Sequence, residues 1–357
     1  MSLDRVRKKI DAIDAKVLSL LNDRARASRE IGQLKMKEGQ GVYAPHREKQ
    51  VLDRLKSSNK GPMTPEAIEA IYREIMSFSI SLEKKVKIAY LGPPVTYTHQ
   101  AAQKKFGSSV DYEACTTITD VFSEVEQGRA DYGVVPVENS TEGAVNHTLD
   151  MFIDSSLRIY GEIFLPIHHY LLSKSVPLKD IVQVYSKDQV FGQCRLWLEA
   201  HLREATLLPT NSTAEAAQIV ANDTNQAGIA CIASKIAAQV YGLRILASSV
   251  EDNPNNTTRF LIISGSEAKP TSADKTSIVF EIKDRSGALH DILVPFKKSK
   301  INLTKIESRP SKKKAWSYYF FVDFEGHHGA PKVQKALASL EKHCTFLKVL
   351  GSYPKAE

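Results

Sequence analysis

The hydrophobic pattern divides the chain into three parts that differ in their period. From Leu3 to Lys37, apolar residues recur near helical spacing with no proline and only Gly32 as a glycine, which predicts one long helix. Further helices are expected at 45–56 and from Pro65 to Glu83, with Thr64 as the N-cap of the latter. Because a long helix with one apolar stripe needs a partner surface, the pattern also predicts an intertwined dimer.

From residue 85 the pattern changes to short apolar strands that alternate with helices. The strands are expected at 86–92, 132–137, 159–172, 182–185, 227–232 and 259–264, and the helices at 98–106, 118–127, 188–201, 214–221 and 234–241. Such alternation predicts an α/β domain with largely parallel pairing, whose ligands bind outside the carboxyl ends of strands, often in a cleft between lobes.

The last part of the chain follows a polar linker at 265–275. Its predicted elements have the order βαββαβ, which is that of the ferredoxin-like arrangement. The sequence therefore predicts a multidomain protein: an all-α helical domain at 1–85, a two-lobed α/β domain at 86–265 and an α+β ferredoxin-like domain at 276–353.

Composition limits the class of protein. Apolar residues make up 42% and charged residues 25%, and no run of about 18 or more apolar residues occurs, so no membrane-spanning segment is expected. The N-terminus lacks an apolar signal-peptide core, which predicts a cytoplasmic location. Wide spacing favours buried thiols over a zinc site or disulfides for the four cysteines, Cys115, Cys194, Cys231 and Cys344. No metal and no cofactor are expected.

The net charge of +7 lies in the first part of the chain. Residues 1–87 hold 19 Lys and Arg against 12 Asp and Glu, whereas the remaining 270 residues hold 29 of each. A basic helical domain could bind nucleic acid or a small polyanion. Acidic residues interleave with the basic ones, which argues against nucleic acid, but the charge alone leaves both readings open.

Several charged residues of the helical part fall at positions where they can meet. Arg24 and Lys35 are 11 residues apart, which places them on nearly the same helix face at roughly 16 Å. Arg7 lies 17 residues before Arg24 and points about 100° away, so only the Arg7 of a neighbouring protomer could reach the same pocket. Ser79 and Glu83 are one turn apart in the third helix.

This part of the chain resembles the all-helical chorismate mutase family. The matching motifs are R-x-x-I-x-x-I-D at 7–14, L-L-x-x-R at 20–24 and V-x-x-x-x-R-E at 42–48. The resemblance implies that the two carboxylates of chorismate are bound by Arg24, Arg47 and the Arg7 of a partner subunit. Arginine suits this role because its planar guanidinium binds a carboxylate bidentately.

The same resemblance implies roles for the other residues of the pocket. Lys35 and Glu83 would flank the ether oxygen, Glu48 would bind the ring hydroxyl, and Ser79 would line the pocket. The reaction to prephenate is intramolecular, so the protein must hold a compact conformer and stabilise charge on the breaking ether oxygen. Two positions depart from the family pattern: Ala44, where Asp is frequent, and Glu83, where Gln is common. Glu83 can donate a hydrogen bond only when protonated, which predicts mutase activity that falls as pH rises.

Three polar segments of the second domain adjoin apolar strands, at 133–143, 185–194 and 255–260. Together with Ala-Tyr-Leu-Gly-Pro at 89–93, they resemble prephenate dehydratase over about 86–264. The most specific motif is T-R-F at 258–260, where the family has an essential threonine at the position of Thr258. By the same match, the other cleft residues are expected to be Glu138, Asn139, Ser140, Ser186, Gln189, Gln193 and Ser212.

In the implied reaction, prephenate loses carbon dioxide and its ring hydroxyl together and becomes the aromatic phenylpyruvate. Aromatisation drives the reaction, so the enzyme mainly assists the departure of hydroxide by proton donation. Thr258 is the expected donor or orienter, with Arg259 or helix N-termini binding the carboxylates. The family pattern is broken at Lys187–Asp188, where H-P is usual, at Val95, where Gly is usual, and at Asn211, where Glu is frequent.

Two motifs of the third domain match the phenylalanine-binding motifs of ACT domains in this enzyme family. They are G-A-L-H at 287–290 and E-S-R-P at 307–310, and the implied contacts to L-phenylalanine come from Gly287, Ala288, Leu289, Glu307, Ser308, Arg309 and Pro310. The resemblance implies feedback inhibition by phenylalanine bound between paired domains of a homodimer or homotetramer. His290 stands where an apolar residue is often found.

The sequence thus predicts a bifunctional enzyme that converts chorismate to prephenate and prephenate to phenylpyruvate. Three alternatives remain open at this point. The first is a non-catalytic regulatory protein that only senses an amino acid, and the second is a dehydratase that prefers arogenate. The third, a nucleic-acid-binding first domain, predicts salt-sensitive affinity for DNA.

Overall fold

The structure is a computed structural model that describes residues 2–37, 43–224, 228–283, 285–311 and 317–356. The chain forms two compact units: Met1–Ile88 with Gln103–Tyr112, and Ala89–Ala102 with Glu113–Glu357. Among the described helices, none has the length and apolar character needed to cross a bilayer.

Three helices form the first part of the chain, as predicted: α1 (Leu3–Lys37), α2 (Pro45–Ser58) and α3 (Pro65–Glu83). The Thr64 side chain accepts a hydrogen bond from the Ala67 amide, which confirms the predicted N-cap. Helices α1 and α3 approach closely at Gly32, where an added Cβ would lie 2.8 Å from Cγ of Glu83. A glycine at this position therefore allows the two helices to bring their side chains together.

The second part consists of eleven short strands and seven short helices among the described residues. The strands are β1 (Lys87–Leu91), β2 (Asp111–Cys115), β3 (Tyr132–Asn139), β4 (Gly143–Ala144), β5 (Arg158–Pro166), β6 (Tyr170–Ser173), β7 (Gln183–Lys187), β8 (Thr206–Thr210), β9 (Ile229–Ala233), β10 (Arg244–Ser248) and β11 (Thr257–Ser264). The helices are α4 (Tyr97–Phe106), α5 (Ile118–Glu126), α6 (Asn146–Asp154), α7 (Asp188–Gln193), α8 (Arg195–His201), α9 (Thr213–Ala221) and α10 (Lys235–Tyr241).

The strands form two sheets, with the orders β2-β1-β3-β11-β5 and β10-β6-β9-β7-β8, so the predicted two lobes are present. The expectation of largely parallel pairing was wrong. Strand β11 in the first sheet and strand β6 in the second both pair antiparallel with their two neighbours. Strand β11 runs antiparallel to both β3 and β5, whereas β7 runs parallel to β8 and β9. The single strand expected at 159–172 is two strands, β5 and β6, that belong to different sheets. The chain thus enters the second lobe between Pro166 and Tyr170 and returns through β11.

The third part has the predicted βαββαβ order. Its elements are β12 (Asp274–Ile282), α11 (Ala288–Lys298), β13 (Leu303–Pro310), β14 (Tyr318–Glu325), α12 (Pro331–Glu341) and β15 (Cys344–Pro354). The sheet order is β13-β14-β12-β15, so β13 lies at an edge. One face of this sheet packs on α11 and α12.

The other face of this third sheet packs on the first sheet of the α/β domain. Phe321 and Tyr353 belong to the same buried apolar cluster as Val137 and Leu261. At Gly351 an added Cβ would lie 2.2 Å from the carbonyl oxygen of Ile159, so glycine permits β15 to approach β5. The third domain is therefore joined to the α/β domain by a shared apolar core.

Candidate active sites

The first candidate site lies between α1 and α3. Arg24 donates a hydrogen bond to the hydroxyl of Ser79, and Lys35 Nζ lies 3.0 Å from Glu83 Oε2. Partial burial lowers the pKa of Arg24 from its ordinary value. The structure thus brings together four of the residues predicted from helical spacing, with two cations from α1 facing a hydroxyl and a carboxylate from α3.

Glu48 belongs to the same helical unit and is held by two donors. The Tyr43 hydroxyl donates to Glu48 Oε2 at 2.8 Å, and Lys105 Nζ lies 3.2 Å from the same oxygen. Neither Tyr43 nor Lys105 was predicted from the sequence. Tyr43 lies within the sequence motif at 42–48, at a position that the motif leaves open, whereas Lys105 is distant in sequence and had no signal of its own.

Two of the predicted arginines, Arg47 and Arg7, make other contacts within the chain. Arg47 is exposed, and its Nη1 lies 3.5 Å from Gln50 Oε1. Arg7 is exposed on α1 and pairs with Asp4 at 3.8 Å. Seventeen residues of helix separate Arg7 from Arg24, which corresponds to about 26 Å along the axis. An Arg7 contribution to this pocket must therefore come from another copy of the chain.

The second candidate site forms where β3 ends beside the start of β11. The antiparallel register places Asn139 opposite Thr258. Asn139 Nδ2 donates to Thr258 Oγ1 at 2.8 Å and to Asn256 Oδ1 at 2.8 Å. Its Oδ1 accepts from the backbone amide of Thr141 at 3.0 Å and from that of Glu142 at 3.1 Å. These backbone donors fix which end of the Asn139 amide faces Thr258.

This orientation determines the role that the Thr258 hydroxyl can play. Because Thr258 Oγ1 accepts from an amide that can only donate there, its own proton is left to donate to a third group. Thr258 therefore presents a hydrogen-bond donor at the end of the strand, as the proposed assistance to a departing hydroxide requires.

Next to this pair lies a cavity of about 220 Å³. The residues that line it, most of them polar, come from the loop after β3, from α7 and from the loop before β11: Thr141, Glu142, Gly192, Gln193, Glu251, Asp252, Asn253 and Asn256. Asn256 reaches into the hydrogen-bond network of Asn139, which connects the cavity to Thr258. Gln193 was among the predicted cleft residues.

Behind Gln193 stands a buried network that the sequence did not reveal. His169 Nε2 lies 2.9 Å from Gln193 Oε1, and His169 Nδ1 lies 3.2 Å from the Tyr97 hydroxyl. Glu251 accepts from the His169 amide at 2.8 Å and meets His168 Nδ1 at 2.8 Å. Burial lowers the pKa of His169 and raises that of Tyr97. Only the adjacent pair of histidines could have drawn attention to this region of the sequence.

Glu138 and Arg259 were expected in the cleft, but the structure places them on the opposite face of the sheet from Thr258. They lie opposite each other on β3 and β11, with Arg259 Nη1 3.8 Å from Glu138 Oε2. Consecutive residues of a strand point to opposite faces, so the neighbours of Asn139 and Thr258 face away from the cleft. Glu138 Oε2 instead meets Lys305 of β13 at 2.9 Å.

The Arg259 guanidinium is buried among partners from both domains. It donates to Glu162 at 2.8 Å, to Asp323 at 2.6 Å and to the Tyr353 hydroxyl at 2.9 Å. Burial disfavours its charge, but these neighbours together raise the pKa of Arg259 above its ordinary value. Lys275 completes the cluster by pairing with Glu162. The carboxylate-binding role expected for Arg259 would require breaking these ion pairs.

The remaining predicted cleft residues have varied surroundings. Ser140 accepts from the Thr257 amide at 2.9 Å and thereby closes the turn beside Thr258. The hydroxyl of Ser186 is buried and donates to the Ile232 carbonyl at 2.7 Å, and that of Ser212 caps α9 by accepting from the Glu215 amide. Gln189 is exposed on α7.

The predicted phenylalanine motifs lie at the start of α11 and along β13. Gly287 has φ of +78° at the N-cap of α11, a conformation that favours glycine. Ala288 is buried, whereas Leu289, Ser308 and Pro310 are exposed and Glu307 is half-buried. Arg309 instead reaches the α/β domain, where its Nη2 lies 2.9 Å from Oδ1 and 3.0 Å from Oδ2 of Asp150 on α6.

Comparisons with known proteins identify a family for each part of the chain. Family models match at residues 6–84 for chorismate mutase type II, at 88–268 for prephenate dehydratase and at 276–342 for the ACT domain. The chain is 51% identical over 358 residues to the bifunctional chorismate mutase/prephenate dehydratase of Aquifex aeolicus, which covers 99% of this chain and 98% of the relative.

Two solved structures resemble the second and third parts of the chain. The prephenate dehydratase of Arthrobacter aurescens in complex with L-Phe is 36% identical, with a TM-score of 0.70, over 76% of this chain and 90% of that one. A structure called GqqA, a novel type of quorum-quenching acylase, is 28% identical, with a TM-score of 0.68, over 76% of this chain and 98% of that one.

Fold and sites together define a multidomain enzyme with a helical mutase domain, a two-lobed dehydratase domain and an ACT domain. The chain belongs to the bifunctional chorismate mutase/prephenate dehydratase family and carries both activities. The alternative of a non-catalytic amino-acid sensor is therefore not supported.

Proposed function

We propose that the two sites act in sequence and that L-phenylalanine, bound at the ACT domain, inhibits the dehydratase. The dehydratase assignment rests on the hydrogen bond from Asn139 to Thr258, because this bond leaves the proton of the Thr258 hydroxyl to be donated to the substrate at the end of the strand. The Arg24–Ser79 and Lys35–Glu83 pairs carry the mutase assignment, because they gather donors around one pocket.

In the proposed mutase site, Arg24 and Arg47 bind the carboxylates of chorismate. Lys35 donates to the ether oxygen, where negative charge develops as the carbon–oxygen bond breaks. Protonated Glu83 would add a second donor there, and Glu48 would accept from the ring hydroxyl. No covalent intermediate is needed, since one substrate molecule rearranges within the site.

A second copy of the chain completes this site in our proposal. The first two-thirds of α1 is exposed, and the apolar side chains of Ile10, Ile13 and Val17 are about half-exposed. Burying this stripe against the α1 of a partner would release water from apolar surface and bring the Arg7 of the partner subunit to the pocket. The oligomer would then be at least a dimer.

In the proposed dehydratase site, Thr258 donates a hydrogen bond to the ring hydroxyl of prephenate. The carboxylate carbon–carbon bond breaks to release carbon dioxide, and its electron pair forms the aromatic ring as hydroxide leaves. The departing oxygen takes up a proton and becomes water. Asn139 fixes the direction of the Thr258 hydrogen bond, while Gln193 and Asn256 line the adjoining cavity.

An acylase activity, as in the GqqA structure, would instead require Thr258 or a water to act as nucleophile. A nucleophilic hydroxyl needs a base that accepts its proton. Among the described residues, the hydrogen-bond partner of Thr258 Oγ1 is the Asn139 amide, which donates and cannot act as a base. The geometry therefore argues against Thr258 as the nucleophile of an acyl transfer.

The proposed function is tested by supplying chorismate to the purified protein and following prephenate and phenylpyruvate. Both should form in order, and L-phenylalanine should slow only the second step. Parallel assays with prephenate and arogenate decide the substrate preference from the ratio of kcat/KM values. Prephenate accumulation without phenylpyruvate would contradict the dehydratase assignment, and unreacted chorismate would contradict that of the mutase.

Inhibition needs a connection between the phenylalanine motifs and Thr258. The Arg309–Asp150 pair links the E-S-R-P motif to α6, whose Thr148 donates to the Pro136 carbonyl of β3 at 2.6 Å. Strand β3 ends at Asn139, the partner of Thr258. Arg259 provides a second connection, since it follows Thr258 and pairs with Asp323 of the ACT domain.

Replacing Asp150 with Ala should weaken the response to phenylalanine more than the binding of phenylalanine. Asp150 lies outside both phenylalanine motifs, so its loss removes the connection to α6 while the ligand contacts remain. We expect the phenylalanine concentration for half-inhibition to rise about tenfold, within the usual range of allosteric coupling. Inhibition curves and calorimetric binding measure the two quantities. Asp154→Ala, one turn along α6, is the control, and unchanged inhibition in Asp150→Ala would contradict this route.

A further inference from the structure

A cation from outside the chorismate mutase match reaches the proposed mutase site. The mutase family model ends at residue 84, and the dehydratase model covers 88–268. Lys105 belongs to the dehydratase match, near the end of α4, yet its Nζ lies 3.2 Å from Glu48 Oε2. Both side chains are largely enclosed, with exposed fractions of 28% for Lys105 and 13% for Glu48. The segment Gln103–Tyr112 belongs to the same compact unit as the mutase helices.

Aromatic packing anchors the end of α4 beside Glu48. The rings of Tyr43 and Phe106 lie 4.9 Å apart between centroids, and both residues are buried. Lys105 Nζ lies 5.9 Å from the centroid of the Tyr43 ring, within the range of a cation–π contact. Tyr43 thus packs on the neighbour of Lys105 and donates to the same carboxylate oxygen of Glu48.

The loop after α4 is docked on α3, the helix that carries Ser79 and Glu83. Glu74 Oε2 accepts from the amide and hydroxyl of Ser108 at 3.0 and 2.6 Å. Ser77 Oγ accepts from the Ser109 amide at 3.0 Å. Gly107 has φ of +71°, and an added Cβ there would lie 2.5 Å from Ser77 Cβ, so this close approach requires glycine. The end of α4, which carries Lys105, is therefore fixed by the packing of Phe106 on Tyr43 and by the contacts of the following loop with α3.

We infer that Lys105 is a positioning residue of the mutase site, supplied by the dehydratase part of the chain. Lys105 and Tyr43 both bind Oε2 of Glu48, and no described residue donates to Oε1, which is left to accept from the ring hydroxyl of chorismate. This inference rests on the proposed role of Glu48. Chorismate carries two carboxylates, so the Lys105 cation also offsets the repulsion between them and the Glu48 carboxylate.

Replacing Lys105 with Met should raise the KM for chorismate about three- to tenfold and change kcat by less than about twofold. The effect should appear in KM rather than in kcat, because the carboxylates and the ring hydroxyl of chorismate that interact with Glu48 are present in both the substrate and the transition state. Lys105→Arg should retain most of the affinity. The control is Lys56→Met, since Lys56 pairs at 2.9 Å with Glu69, which is not a proposed site residue, and has a similar exposed fraction of 25%. Dehydratase turnover of prephenate should be unchanged in all three variants.

A double-mutant cycle with Glu48→Gln separates positioning from a general loss of structure. In the Glu48→Gln background no carboxylate remains to be neutralised, so Lys105→Met should have no further effect on KM. An equal loss in both backgrounds, or a Lys105→Met KM within twofold of the parent, would overturn the inference. If Glu48→Gln itself leaves mutase kinetics unchanged, the proposed role of Glu48 has failed, and the inference fails with it.

Discussion

Replacing Asn139 with Asp is expected to lower the dehydratase kcat by about 10²- to 10³-fold, the usual cost of removing one donor to a developing negative charge. Asn139 Nδ2 donates to Thr258 Oγ1 in the structure. An aspartate carboxylate can only accept, so the Thr258 hydroxyl would donate its hydrogen bond to this carboxylate and no longer to the departing hydroxide. The shape of the side chain hardly changes. Turnover of prephenate measures the effect, and turnover of chorismate by the mutase serves as an internal control.

Three companion variants identify the cause of this loss. Thr258→Val keeps the shape and removes only the hydroxyl, so it should match Asn139→Asp, whereas Thr258→Ser should retain most activity. Ser140→Ala removes a hydroxyl from the same turn without touching Thr258 Oγ1 and should cost far less. An Asn139→Asp enzyme with kcat within threefold of the parent would show that the direction of this hydrogen bond does not matter.

The sequence predicted those features that depend on local spacing. Helix α1 was predicted with its observed bounds because apolar residues recur near helical spacing and no proline interrupts its 35 residues. The same period predicted that Arg24 and Lys35 share a face of α1 and that Ser79 and Glu83 lie one turn apart on α3, whereas their meeting in one pocket was implied by the family resemblance. Strand β2 and helix α6 were missed because both are short and neither shows a clear apolar period, of two residues for the strand or of 3.6 for the helix.

Site predictions failed where the face of a strand decided the outcome. Glu138 and Asn139 are adjacent in sequence, as are Thr258 and Arg259, and a motif treats adjacent residues as one site. In the structure, one member of each pair faces the cleft and the other faces the ACT domain. Only the register of β3 with β11, which depends on the tertiary structure, shows which residue of each pair faces the cleft.

Contacts between distant segments were also beyond the sequence. His169 supports Gln193 from 24 residues away, and Lys105 meets Glu48 across 57 positions. No periodicity relates such residues, because the path of the chain between them is set by packing of whole elements. The end of α4 was predicted at its observed position, Phe106, but its packing beside Glu48 was not, and the separation of β5 from β6 was missed by the hydrophobic pattern.

Replacing Lys35 with Met should lower the mutase kcat by about 10²- to 10³-fold while the dehydratase remains active. Lys35 is the described cation that faces Glu83 across the pocket, so its loss removes the donor to the ether oxygen when Glu83 is ionised. Lys37→Met, two residues along α1 and exposed, is the matched control. A Lys35→Met enzyme that keeps more than a tenth of the parent kcat would contradict this role.

Replacing Glu83 with Gln should separate the role of Glu83 from that of Lys35. The Glu83 carboxylate accepts from Lys35 at 3.0 Å and cannot donate to the ether oxygen in its ionised form. Glu83→Gln carries an amide that can accept from Lys35 and also donate to the ether oxygen, so its mutase kcat should exceed that of the parent. A Glu83→Gln kcat no higher than that of the parent would contradict a donor role at this position, and the donor at the ether oxygen would then be Lys35 alone.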